Sequence, residues 1–179
     1  MSRSDKLQQE AEQLAQKKSF FGKSKNLQAA ADRYGQAGNS YKIDREFVKA
    51  GECHMKAADL YAQVKEEATA ADQAIEAGKC FEKESSALDQ AINAYKFAAN
   101  IFKDNPRRQN DLGQLYTNAA NLLLQADRTE EGLELLNKGL GILKSSSGGS
   151  ASSDVAKNLE TWADALTDKE QYQKAIDFY

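Results

Sequence analysis

The sequence predicts an all-α protein, a right-handed solenoid of antiparallel helical hairpins forming a twisted, curved sheet, and it does so through composition, periodicity and self-similarity. Of 179 residues, 45 are Ala or Leu and only nine are Val or Ile. Ala and Leu lose little rotamer freedom in a helix, whereas the β-branched residues that suit pleated strands are scarce, so the balance favours helix. There is one proline, Pro106. The 41% hydrophobic content supplies one continuous core, or about four stacked hairpins, and too little for two large domains.

Helical periodicity marks about nine helices, separated where Gly, Pro, Ser or Asn cluster. The first spans 3–18, with Leu7, Ala11 and Leu14 at helical spacing, and stops at the loop Ser19-Phe20-Phe21-Gly22-Lys23-Ser24-Lys25. The next run over 26–38, 44–64, 67–84 and 86–103, the break between the second and third resting on Gly38-Asn39-Ser40. Pro106 ends the fifth helix and suits the first turn of the sixth, 107–126, because it lacks the N–H that a helix interior would need. A seventh covers 129–144. The Ser- and Gly-rich stretch 145–153 then reads as a flexible linker, after which Ser153 or Asp154 can cap 154–168, followed by 170–179. The chain thus divides into an N-terminal helix and basic Phe-Phe loop (1–25) and a repeat domain (26–179).

Self-similarity is the decisive signal. Ala37-Gly38-Asn39-Ser40-Tyr41 recurs as Ala50-Gly51-Glu52-Cys53-His54 and, 40 residues after the first copy, as Ala77-Gly78-Lys79-Cys80-Phe81. Ala30-Ala31-Asp32-Arg33-Tyr34 returns as Ala57-Ala58-Asp59-Leu60-Tyr61, Ala91-Ile92-Asn93-Ala94-Tyr95 and Ala175-Ile176-Asp177-Phe178-Tyr179. Glu131-Gly132-Leu133-Glu134 matches Gln90-Ala91-Ile92-Asn93 at an offset of 41. A period near 40 built from paired helices is the signature of a helical-hairpin solenoid, expected here to be tetratricopeptide-like in its right-handed stacking. The small residue lets helix axes approach, and the aromatic four residues after the alanine fills the gap between neighbours.

The chemistry of catalysis is hard to find. The single histidine, His54, occupies the aromatic position of a packing repeat, so a structural role is expected and no metal site, cofactor or catalytic residue is assigned. No phosphate-cradling loop or nucleophile elbow is present. Cys53 and Cys80 each lie in an Ala-rich helical pattern and are expected to be free, packed thiols. With 24 basic and 27 acidic residues, net −3, the chain lacks the basic field that drives nucleic-acid binding, and no apolar run approaches a membrane span, so a cytoplasmic location is expected.

Charge is nonetheless uneven. Residues 1–25 carry net +3 and the remainder −6. Phe20 and Phe21, flanked by Lys23 and Lys25, can either staple the first helix to the second or lean on a membrane. Burial of each ring in a bilayer interface would gain roughly 1.5–3 kcal/mol, with about 1 kcal/mol more per lysine over anionic lipid. That makes a weak attachment, useful mainly as avidity. A second basic cluster, Lys103, Arg107 and Arg108, surrounds Pro106, and Lys157 opens the eighth helix; composition alone reads these as solvated turn residues.

These motifs together resemble the soluble NSF attachment protein (SNAP) family, in its α, β and γ forms. Ser19-Phe20-Phe21 with the Gly-Lys-Ser-Lys that follows is similar to the family's membrane-touching loop, here several residues shorter. Ala37-Gly38-Asn39-Ser40-Tyr41-Lys42 is similar to its hairpin motif. Ser152-Ser153, Lys157 and then Gln171-Tyr172-Gln173-Lys174-Ala175-Ile176-Asp177-Phe178-Tyr179 carry the strongest likeness, to the α form. The resemblance implies an adaptor for vesicle fusion and intracellular protein transport, which binds the SNARE four-helix bundle and recruits an NSF-like AAA+ ATPase to disassemble it. It implies a peripheral membrane association and a SNARE-binding basic face of Arg107, Arg108, Lys157 and Lys103. The basic position expected just after the Pro106 turn falls on Asn110-Asp111. Family members continue into a C-terminal bundle that touches the ATPase, and that bundle is expected to be absent here. The alternative is a generic tetratricopeptide-like scaffold that binds a protein or peptide in its groove.

Overall fold

The computed structural model describes residues 2–17, 22–146 and 153–168, which contain eight α-helices and no strand. They are α1 (Arg3–Gln16), α2 (Lys23–Ile43), α3 (Phe47–Gln63), α4 (Glu67–Phe81), α5 (Leu88–Phe102), α6 (Gln109–Gln125), α7 (Thr129–Ser146) and α8 (Ser153–Asp168). Single 3₁₀ turns, Ser85–Ala87 and Pro106–Arg108, lead into α5 and α6. The expected helix over 170–179 and most of the 145–153 linker lie outside the described residues.

Each helix packs on its neighbours in the chain, and side-chain bonds also join helices two apart. The Cys53 thiol of α3 donates to Gln8 Oε1 of α1 at 3.8 Å. Lys42 of α2 meets Glu76 of α4 at 2.7 Å, and Asp89 of α5 meets Arg128 at the head of α7 at the same distance. Trp162 of α8 bonds Asn121 of α6. Contacts of this i, i+2 kind place odd helices in one layer and even helices in the other. The core runs between the layers, with Phe97 and Ile101 touching both of its larger clusters.

Alanine and glycine make this close packing possible, with the buried alanines lining the helix contacts at zero or near-zero exposure. The repeated Ala-Gly pairs have a sharper role: each glycine is a socket for a ring on the following helix. A Cβ on Gly38 of α2 would stand 2.7 Å from the His54 imidazole of α3, one on Gly51 of α3 would stand 2.6 Å from the Phe81 ring of α4, and one on Gly78 of α4 would stand 2.7 Å from the Tyr95 ring of α5. The ring three residues after each glycine turns the other way. Thus Tyr41 reaches back to α1, donating to Asp5 Oδ1 at 2.9 Å. One repeat therefore both receives a ring from the helix ahead and gives one to the helix behind, which is how a five-residue pattern propagates a stack.

The second predicted boundary moves for this reason. Gly38-Asn39-Ser40 does not break a helix; α2 continues through it to Ile43, because Gly38 is needed inside the helix to admit His54. The turn comes instead at Asp44-Arg45-Glu46. Arg45 has φ 60°, its N–H bonds Lys42 O, and Glu46 N–H reaches Tyr41 O at 2.9 Å, a Schellman closure. Lys65 (φ 66°, with Glu66 N to Tyr61 O) and Asp127 (φ 61°, with Arg128 N to Leu123 O) repeat it. None of the three is glycine, so the usual punctuation is missing from the sequence.

Candidate protein-binding surface

The turn between α5 and α6 gathers three of the four predicted basic residues. Asn105 accepts the Arg107 N–H at 3.0 Å and Pro106 starts the 3₁₀ turn, which presents Lys103 and Arg107 to solvent. Arg108 is held differently. Its guanidinium lies 4.1 Å from the centre of the Phe102 ring, bonds Asp111 at 2.5 Å and reaches Asp72 of α4 at 3.5 Å. Two carboxylates and a ring face thus occupy this one cation, and Arg108 ties the turn to α4 across the even layer. Lys103 and Arg107 are left as its outward charges.

Beside the turn is a cleft of about 530 Å³, with Ala68 of α4 and Ile101 and Phe102 of α5 among its lining residues and Glu67, Asp104 and Arg107 supplying charge. Sequence reasoning missed Asp72, Phe102 and Asp111 as partners of Arg108. The Arg108–Asp111 spacing of three on a helix was a usable local signal; the 36-residue separation from Asp72 was not.

Lys157 is exposed on α8, and it does not join the turn. Asn158, next to it, accepts from Asn121 Nδ2 at 3.0 Å, which registers α8 against the far half of α6. Twelve residues of α6 separate Asn121 from Gln109, roughly 18 Å at 1.5 Å per residue. The four predicted basic residues therefore do not form a single cluster: three stand at the turn and Lys157 stands apart on α8. Phe20 and Phe21 lie outside the described residues. Lys23 and Lys25 stand exposed in the first turn of α2, where no acidic residue offsets them and the helix dipole disfavours cations.

Buried polar groups belong to packing. His54 is 1% exposed; its Nδ1 lies 2.8 Å from Gln73 Oε1, and Nε2 has no partner. Burial lowers its pKa below the ordinary value, so it sits in the core as neutral imidazole. Burial would raise the Glu76 carboxyl, but hydrogen bonds from Lys42 and Lys79 outweigh it and hold the group at about 2. Burial pushes the Cys53 thiol up to about 11 and raises Cys80 as well, and both cysteines are free. Among the described residues no group of His, Cys, Asp or Glu is arranged to hold a metal, and no helix is long and apolar enough to cross a membrane.

Stacked hairpins with glycine sockets, a basic turn and an open cleft define a helical-repeat scaffold. The crystal structure of BtubC (BKLC) from P. vanneervenii shares this fold, with a TM-score of 0.61 and 14% identity over 98% of this chain and 68% of that one. Residues 2–179 match the family described as Soluble NSF attachment protein, SNAP, and the chain belongs to that family. It is 28% identical over 179 residues to the alpha-soluble NSF attachment protein of Vitis vinifera, covering all of this chain and 59% of the relative. It is 29% identical over 164 residues to the Mus musculus protein of the same description, covering 89% of this chain and 52% of the relative. The chain spans little more than half the length of these curated relatives.

Proposed function

We propose that this chain is an adaptor that binds the SNARE four-helix bundle for disassembly by an NSF-like AAA+ ATPase in vesicle fusion. Family membership across 2–179 carries the proposal, and the exposed charges of the scaffold support it. A stack of hairpins in series offers an extended surface, which fits a rod of helices better than a compact ligand. Lys103 and Arg107 at the α5–α6 turn, with Lys157 on α8, would attract acidic side chains of the bundle, while Arg108 shapes the turn that presents them. Such rim charges act mainly through association rate and register, each worth about 0–1 kcal/mol.

Phe20 and Phe21, with Lys23 and Lys25, would lean on the membrane that carries the bundle and add avidity. ATPase engagement would fall to parts of the family's architecture that the match does not cover.

Co-sedimentation with an assembled SNARE bundle tests the main claim: binding should weaken steadily from low to high salt and be preferred over single SNARE peptides. Binding indifferent to salt, or peptides that compete equally, would count against it. Liposome co-flotation of the wild type against Phe20→Ser with Phe21→Ser tests the loop, and equal flotation of the two would remove it.

A further inference from the structure

Resting on the function proposed above, we propose that Trp162 is a latch that fixes α8 in one register against α6 and α7 and thereby sets where Lys157 stands on the binding surface. Among its described side chains α8 buries Trp162, Ala163 and Leu166. Trp162 is the largest of these and is wholly buried, among Ala120 of α6 and Leu136, Leu140 and Leu143 of α7. Its ring edge rests on Gly132 of α7, where a Cβ would come within 2.5 Å of Cη2.

Apolar packing alone does not choose one register, because a cluster of leucines accepts an indole at several positions along a groove. A polar pair supplies the choice. Trp162 Nε1 donates to Asn121 Oδ1 at 2.7 Å, and Asn121 Nδ2 donates to Asn158 Oδ1 at 3.0 Å. Asn121 is thereby gripped by two residues of α8 four apart, one helical turn, on a single face. A slip of one residue moves α8 by about 1.5 Å and rotates it by about 100°, so both bonds break together and a buried N–H is left without a partner. Lys157 adjoins Asn158 and is exposed, so the bond that fixes Asn158 also fixes the direction in which Lys157 projects. Trp162 and Asn121 are positioning residues: they touch no partner and act through α8.

Three variants of the full chain test this: Gly132→Ala, which fills the socket; Asn121→Leu, which leaves the socket intact and removes the polar pair; and Lys157→Ser. Hydrogen exchange of α8 amides and affinity for an assembled SNARE bundle are measured for each and for both double variants with Lys157→Ser. Gly132→Ala and Asn121→Leu should accelerate exchange in α8 several-fold and leave α2 to α5 unchanged. Lys157→Ser should weaken bundle binding by roughly two- to fivefold in the wild-type background and by much less in either latch variant. A simple loss of stability would not erase the Lys157 effect. Equal Lys157 effects in all backgrounds, or unaltered exchange in α8, would overturn the latch. If the wild type fails to bind the bundle, the proposed function and the role given to Lys157 fall together, and exchange alone decides whether Trp162 holds α8.

Discussion

One substitution, glycine to alanine, should change stability in opposite directions at two helical sites. At Gly141 of α7 an added Cβ meets nothing within 4 Å, and the residue is exposed. Alanine there gains the helix-propensity difference and should stabilise by about 1 kcal/mol. At Gly51 of α3 the same Cβ would stand 2.6–2.7 Å from Cε1, Cδ1 and Cζ of Phe81, which is 2% exposed and enclosed by the core. Ordinary contact requires about 3.5–4.0 Å, so the ring must retreat by about 1 Å into close-packed surroundings. Overpacking of that size costs typically about 1–3 kcal/mol, which offsets or exceeds the propensity gain. The two variants should therefore differ by about 1–3 kcal/mol, a gap in Tm of several degrees for a chain of this size. Thermal and denaturant unfolding of Gly51→Ala, Gly141→Ala and the wild type measure it. Gly51→Ala combined with Phe81→Leu should recover part of the steric cost. Equal stabilisation at both positions would refute the socket account, since the glycine of the repeat would then be only a weak helix former.

The buried histidine gives a pH signature. Its pKa is lowered on folding, so the unfolded chain binds the proton more readily; stability is full above the ordinary value of 6.5 and falls as the pH drops below it toward the folded value. Glu76 and Glu131 have an ordinary value of 4.5, lowered on folding, and their losses begin near or below it, while burial raises Asp59 from 3.8 and gives it the opposite sign, so the contribution of His54, the chain's one histidine, is the difference between wild type and His54→Phe. Between the ordinary values of the histidine and the glutamates a stability profile of the wild type should fall more steeply with falling pH than that of His54→Phe. Lys65→Gly relieves a left-handed residue at a helix end and should raise stability by about 0.5–1 kcal/mol in a denaturant titration. Arg108→Ser should lower Tm by uncoupling Phe102, Asp111 and Asp72, whereas Arg107→Ser should leave Tm unchanged and show its effect only in salt-dependent bundle binding; the reverse pattern would mean the roles of the two arginines are exchanged.

Much of the fold was legible because its information is local. The Ala-Gly-x-x-aromatic repeat, with its period near 40, announced paired helices stacked in series, and the structure has that form. The boundaries placed at Pro106 and between 64 and 67 fell within a residue or two of the observed ends. The boundary placed at Gly38 failed because a glycine reads as a helix breaker when its partner ring is unseen. Arg45, Lys65 and Asp127 turn the chain without glycine, since Schellman bonds to Tyr41, Tyr61 and Leu123 outweigh the local cost of a positive φ.

The candidate surface divides in the same way. The sequence showed a basic cluster around Pro106 and a lysine opening the eighth helix, and only the family resemblance gave them a binding role. Whether each charge is free or engaged is set by residues distant in the chain: Asp72 takes hold of Arg108 from 36 positions away, and Asn121 orients α8 from 37 positions before Asn158. The sequence by itself determined that the chain is a stack of helices, because helix formation and hairpin pairing depend on side chains within a few turns of one another. Only the tertiary structure decided which glycines serve as sockets, which arginine is held and where Lys157 projects, because those outcomes are contacts between helices whose approach no local pattern encodes.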